Sequence, residues 1–148
     1  MIQRKIRFDL AEYDSSWKGC FVLFATDGFK NSIEFKKKIS ALNREAFLAE
    51  RELKKLNSKL STDATLGKES DPKTVKKEKD LLKRTDEIAL EIIEEYQKLI
   101  SKSFVSGQIF DAEKNSTRDL VREDMLDFDE AVLQLMVQAI TGEITKKN

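Results

Sequence analysis

The sequence predicts an α+β fold, mainly helical: a short N-terminal β-hairpin, a long antiparallel helical hairpin and C-terminal helices. Three observations carry that expectation. One proline and five glycines in 148 residues leave few helix breakers, and these are the two residue types a helix interior tolerates worst. Apolar side chains recur every three or four positions across residues 39–60 and again across 75–100, the period of a helix face. Ahead of both stands a strand-like alternation at Ile6, Phe8 and Leu10.

The N-terminal 34 residues carry five basic and five acidic groups. Ile6, Phe8 and Leu10 alternate with Arg7 and Asp9, as on a half-buried strand. Residues 20–24 read as its partner, entered after Gly19 and left at Thr26-Asp27-Gly28, where glycine suits a turn. Two strands alone are marginal in water, so these need a helix, a third strand or a second subunit.

Residues 35–60 hold eight basic and three acidic side chains, net +5. Ile39, Leu42, Ala46, Ala49, Leu53, Leu56 and Leu60 are spaced three, four, three, four, three and four apart, a heptad seam. Phe47 and Leu48 lie off that seam and widen it. The polar stretch 61–74, STDATLGKESDPKT, interrupts the pattern and reads as a mobile tip. Pro72 suits the first position of a helix and Asp71 its N-cap. The second helix covers 75–102, with a stripe at Val75, Leu82, Ala89, Ile92, Tyr96 and Leu99, broadened by Leu81, Ile88, Ile93 and Ile100. Residues 36–102 thus form the helical hairpin of one domain spanning 1–148.

Residues 103–148 carry five basic and nine acidic groups, net −4. Residues 104–111 read as a short strand or a tight connection. Residues 117–126 are expected as a helix with Leu120 and Val121 inward. Asp127 or Asp129 caps a last amphipathic helix bearing Ala131, Val132, Leu135, Met136, Ala139 and Ile140, with Gly142 just past its end and a polar tail at 145–148.

The chain has no histidine and a single cysteine, Cys20. Ser-His-Asp triads, Cys-His pairs, His-based zinc sites and dithiol redox sites are therefore excluded within it. Gly28, Gly67 and Gly107 are isolated turn glycines without the Gly-Lys-Ser/Thr of a phosphate loop. The carboxylates at 91–95 and 123–130 lack calcium-loop spacing and read as caps and solvated helix faces. The expectation is a protein that is not an enzyme, with no catalytic, cofactor-binding or metal-ligating residue and no cofactor. Zero net charge argues against nucleic acid as a default partner. The longest apolar run has six residues, where a membrane helix needs about 20, so a soluble cytoplasmic protein is expected.

What remains is protein binding. Trp17, Phe21 and Phe24 are the candidate anchors of the N-terminal face, and Leu135, Met136 and Ile140 those of the last helix. Lys36, Lys37 and Lys38 open the basic helix and suit an acidic protein partner. Leu53 and Ile92 are the candidate contacts for self-association into a homo-oligomer.

Two stretches together resemble the tail assembly chaperones of long, flexible-tailed bacteriophages. One is IRFDLAEYDSSWKGCFVLFATDGFKNSIEF at 6–35. The other, at 94–144, contains an aromatic-Val-Ser-Gly-Gln-Ile-Phe-Asp turn at 104–111, then Leu120 to Leu126, then a Phe128-led amphipathic helix ending Thr141-Gly142-Glu143. The resemblance implies a small non-enzymatic protein of tail morphogenesis in the cytoplasm of an infected bacterium. Such a protein binds the long tape-measure protein, keeps it soluble, assists tail-tube subunits and self-associates. The alternatives are a structural coiled-coil scaffold or head–tail connector that stays in the final assembly, and a DNA-associated regulator using the basic helix.

Overall fold

A computed structural model describes residues 4–26, 29–111 and 113–142. The expected turn at Asp27-Gly28, the ring of Phe29 and the tail 145–148 lie outside the described part. Within it run the strands β1 (Arg4–Asp9), β2 (Phe21–Thr26), β3 (Phe104–Asp111) and β4 (Ser116–Asp119). The helices are α1 (Phe29–Thr65), α2 (Pro72–Ser103) and α3 (Glu130–Thr141). The class is mainly helical α+β, with the N-terminal β-hairpin and the long antiparallel helix pair in place. The chain groups into two compact units, one drawn from residues up to Lys36 and from Ile93 onward, the other being Lys37–Ile92.

The first unit is built on an antiparallel sheet of order β1-β2-β3-β4. Ile6 pairs with Phe24 and Phe8 with Val22, so the alternation read from the sequence puts all four on one face. Val22, Phe24 and Thr26 are buried on that face. The apolar core gathers Leu10, Cys20, Val22 and Phe24 with Leu99 and Ile100 of α2, Leu120, Met125, and Val132, Leu133, Met136, Val137 and Ile140 of α3. α3 starts at Asp129, whose carboxylate accepts the Val132 N–H at 2.9 Å, and stops at Gly142, φ +78°. On β3, Gly107 sits where any side chain would collide. A Cβ there would lie 2.8 Å from the Phe21 carbonyl oxygen and 2.9 Å from Leu120 Cδ1.

The helix expected over 117–126 is absent. Residues 116–119 instead form β4, paired with β3 from Gln108–Asp119 to Asp111–Ser116, and Arg122–Asp127 is a 3-10 segment. Two aspartates explain the difference by hydrogen-bonding the backbone in non-helical geometry. Asp111 accepts the N–H groups of Glu113 and Lys114 at 3.0 and 3.3 Å. With Asn115 in the left-handed region at φ +47°, this turns the chain back along β3. Asp124 then accepts the Val121 N–H at 2.9 Å. Leu120 is buried as expected, whereas Val121 is 51% exposed rather than inward.

The second unit is the helical hairpin. α1 continues through Thr65, so the connection is residues 66–71 rather than the whole of 61–74. Thr62 and Thr65 donate their hydroxyls back to the carbonyls of Ser58 and Ser61 at 2.8 and 2.9 Å, which satisfies them inside a helix. The stop is a Schellman motif: Lys68 N–H to the Asp63 carbonyl at 2.9 Å, Gly67 N–H to that of Ala64 at 3.2 Å, and Gly67 at φ +70°. α2 begins at Pro72, with the Asp71 carboxylate accepting the Lys73 N–H at 3.0 Å. Ala49, Leu53 and Ile88 are buried along the seam. Ion pairs Glu45–Arg84 and Glu52–Lys77, each 2.6 Å, step forward on α1 as they step back on α2, which fixes the antiparallel register.

Candidate functional site

The residues proposed from sequence divide by burial. Phe24 and Met136 are fully buried and Ile140 is 3% exposed, all in the core of the sheet unit. Their assignment to a contact surface gives way to a packing role, because the inward face of β2 and of α3 is where they fall. Trp17 is half-buried, its ring 5.6 Å from that of Phe128 and tilted. Phe21 lies on the opposite face of β2 from Phe24, under the Arg7 guanidinium at 4.2 Å from the ring centroid. Leu135 is half-buried. In the hairpin, Leu53 is buried in the seam between the helices and Ile92 is half-buried. Lys36, Lys37 and Lys38 are exposed on α1.

The hairpin also displays apolar side chains that the spacing did not single out for binding. Phe47 is 63% exposed, Leu48 52%, Leu82 49% and Leu90 62%. Phe47 stands outside the seam, whereas Leu48 lies at its rim with much of its side chain in water. Their neighbours on the helix surface carry both signs: Glu50 lies three after Phe47, and Glu45 and Glu52 lie three before and four after Leu48. Arg44 and Arg51 lie four before and three after Leu48, and Lys54 and Lys55 lie one heptad beyond Phe47 and Leu48.

The charge balance of this surface follows from what the two helices exchange. The groove beside Leu48, about 440 Å³, is lined by Glu45, Leu48, Ala49, Glu52, Lys77, Leu81 and Arg84. Glu45 accepts from Arg84, and Glu52 from Lys77. These hydrogen bonds hold both carboxyls below the usual range. The Arg84 guanidinium, bonded by Glu45 and Glu91, is held more firmly charged than a free arginine. Two of the three acidic residues of 35–60 are thereby committed to α2. The outer face of α1 keeps Arg44, Glu50, Arg51, Lys54 and Lys55 around Phe47 and Leu48, an excess of positive charge; none of the four basic groups makes an ion pair among the described residues, and the Lys55 charge also helps lower the Glu52 carboxyl.

Among the described residues no group of three or more Cys, Asp and Glu side chains could hold a metal ion. No helix among them is long and apolar enough to cross a membrane. Cys20 is buried, its sulfur accepting the Phe110 N–H at 3.3 Å. What the hairpin surface offers chemically is apolar contact framed by fixed positive charge, an arrangement that complements an amphipathic helix with acidic flanks. Comparison with protein-family models, with curated proteins and with solved structures finds no match.

Proposed function

We propose that this chain is a non-enzymatic assembly protein that holds helical segments of a client against α1, in the manner of a phage tail assembly chaperone. The single observation that carries the reading is the pair Phe47 and Leu48, 63% and 52% exposed, framed by Arg44, Arg51, Lys54 and Lys55. Large apolar side chains left in water on a basic helix cost solubility unless a partner covers them. An acidic amphipathic helix covers both features at once. Binding then comes from surface burial and charge complementarity, without nucleotide or metal.

The stretches at 6–35 and 94–144 support the finer form of the proposal. The client is a tape-measure protein, long and aggregation-prone, with tail-tube subunits as a second partner. The site of action is the cytoplasm of an infected bacterium. The test is co-expression with a candidate tape-measure protein, sought among the genes neighbouring this one, with and without this chain. A client that is soluble and co-purifies only in its presence supports the proposal. A client equally soluble alone, and never co-purified at low salt, moves the reading to a structural adaptor, which would be recovered in finished particles.

The basic face of α1 also favours a second reading, a DNA-associated regulator. Salt separates the two. Phosphate contacts make affinity fall steeply and linearly with the logarithm of salt, whereas a partner held largely by apolar burial retains most of its affinity.

A further inference from the structure

We propose that the outer face of α2 is a self-complementary seam that receives α2 of a second copy of this chain, antiparallel and centred on Leu82. Val75, Leu82 and Ala89 are one heptad apart and so share one face of the helix. Leu82 is 49% exposed, Ala89 exposed and Val75 half-buried. The stripe facing α1 is a different one: Thr74 and Ile88 are buried and Leu81 half-buried.

Charge names the occupant. Lys79 and Asp86 stand three before and four after Leu82, and neither makes an ion pair or side-chain hydrogen bond among the described residues. When two copies of the helix meet antiparallel about Leu82, Leu82 meets Leu82, Val75 of each copy faces Ala89 of the other, and Lys79 of each reaches Asp86 of the other. One contact pattern is made twice, the property of a closed two-fold interface. The longer charge pattern agrees. Leaving aside Lys77, Arg84, Glu87 and Glu91, which pair within the hairpin, residues 73–83 of α2 keep four basic and two acidic groups and residues 85–92 keep Asp86 alone. An antiparallel pair sets Asp86 of each copy against the basic half of the other, whereas a parallel pair sets the two basic halves side by side.

The inference is independent of the client reading, which uses α1, and its test uses the full chain alone. Sedimentation velocity from about 5 to about 200 μM should show a reversible monomer–dimer equilibrium, because association follows mass action. Leu82→Asp, at an exposed position, should leave the circular dichroism unchanged and raise the dimer dissociation constant at least about tenfold, since a carboxylate resists burial. Lys79→Glu and Asp86→Lys should each weaken the dimer, and the double variant Lys79→Glu/Asp86→Lys should recover it, because reversal of both charges restores the pairs. A wild-type chain that is monomeric throughout overturns the proposal. So does a dimer indifferent to Leu82→Asp, or a double variant no better than either single one.

Discussion

Arg84 and Glu45, 39 residues apart in sequence, meet across the hairpin as a two-pronged pair: Nε donates to Oε1 at 2.6 Å and Nη2 to Oε2 at 2.9 Å. Nη1 of the same guanidinium donates to Glu91 at 2.9 Å. A planar fork matched to a carboxylate defines position and angle together, which a lysine cannot do. The pair therefore sets helix register. Arg84→Lys should keep the charge but lose the fork. In carboxyl-detected NMR titrations, Glu45 should then move back toward the ordinary glutamate range, and Arg84→Met should return it further. A Glu45 titration unchanged in both variants contradicts this assignment.

Acid should weaken the hairpin. Glu45 and Glu52 sit below the usual value of 4.5 because Arg84 and Lys77 stabilise their charged forms. Protons therefore bind the unfolded chain more tightly than the folded one at these sites. Their stabilisation is complete above pH 4.5 and is lost as pH falls through the lower folded-state values. Thermal unfolding at pH 7, 5 and 3 should show little change over the first interval and a fall over the second. The fall should be smaller in Glu45→Gln/Glu52→Gln. Stability that rises between pH 5 and pH 3 contradicts the sign.

Gly107→Ala should destabilise the sheet unit by about 1–3 kcal/mol, the range for inserting a methyl group into a packed site. The nearest atom, the Phe21 carbonyl oxygen at 2.8 Å, belongs to a backbone paired in the sheet and cannot rotate away. Urea denaturation checks it. A variant as stable as the wild type means that β2 and β3 separate more easily than the packing implies.

Core and surface aromatics should respond in opposite ways. Phe24→Ala removes a fully buried ring and should cost about 3–5 kcal/mol. Phe47→Ala, at a 63% exposed position, should change stability by less than about 0.5 kcal/mol. Only the second variant isolates binding from folding, so client recovery should fall in Phe47→Ala while its melting curve is unchanged.

Hydrogen exchange should be fast at residues 69–71, which follow the Schellman bonds of Gly67 and Lys68, and slow around Ala49, Leu53 and Ile88, which are buried. Uniform protection running on through residues 69–71 contradicts the hairpin as two separately capped helices.

Much of this fold is legible in the sequence because its determinants are local. Asp71-Pro72 starts α2, and the three-four spacing of Leu42, Ala46, Ala49 and Leu53 marks the seam. The alternation of Ile6 and Phe8 gives β1. The parts that the sequence does not disclose depend on distant or unspecific partners. Ser116–Asp119 contains no apolar residue and is exposed throughout, so only pairing with β3 makes it a strand. The segment Ser61-Thr62-Asp63-Ala64-Thr65 looks like a loop by composition, but Thr62 and Thr65 bond back into the helix. At the candidate site, period two separates Phe21 from Phe24 but does not say which face is inward until β1 and β3 are paired. Phe47 and Leu48 both lie off the heptad, and only the position of α2 shows that Leu48 borders the groove while Phe47 faces water.

The central claim is that the basic, apolar outer face of α1 holds a client helix. Its most direct measurement is the amount of tape-measure client recovered soluble on co-expression, comparing the wild-type chain with Phe47→Glu/Leu48→Glu at equal expression and with unchanged circular dichroism. The account predicts soluble, co-purified client with the wild type, and a loss of at least about tenfold with the variant, since two carboxylates replace the buried contacts beneath an acidic partner. Equal recovery with both chains, or recovery that needs neither, would contradict it.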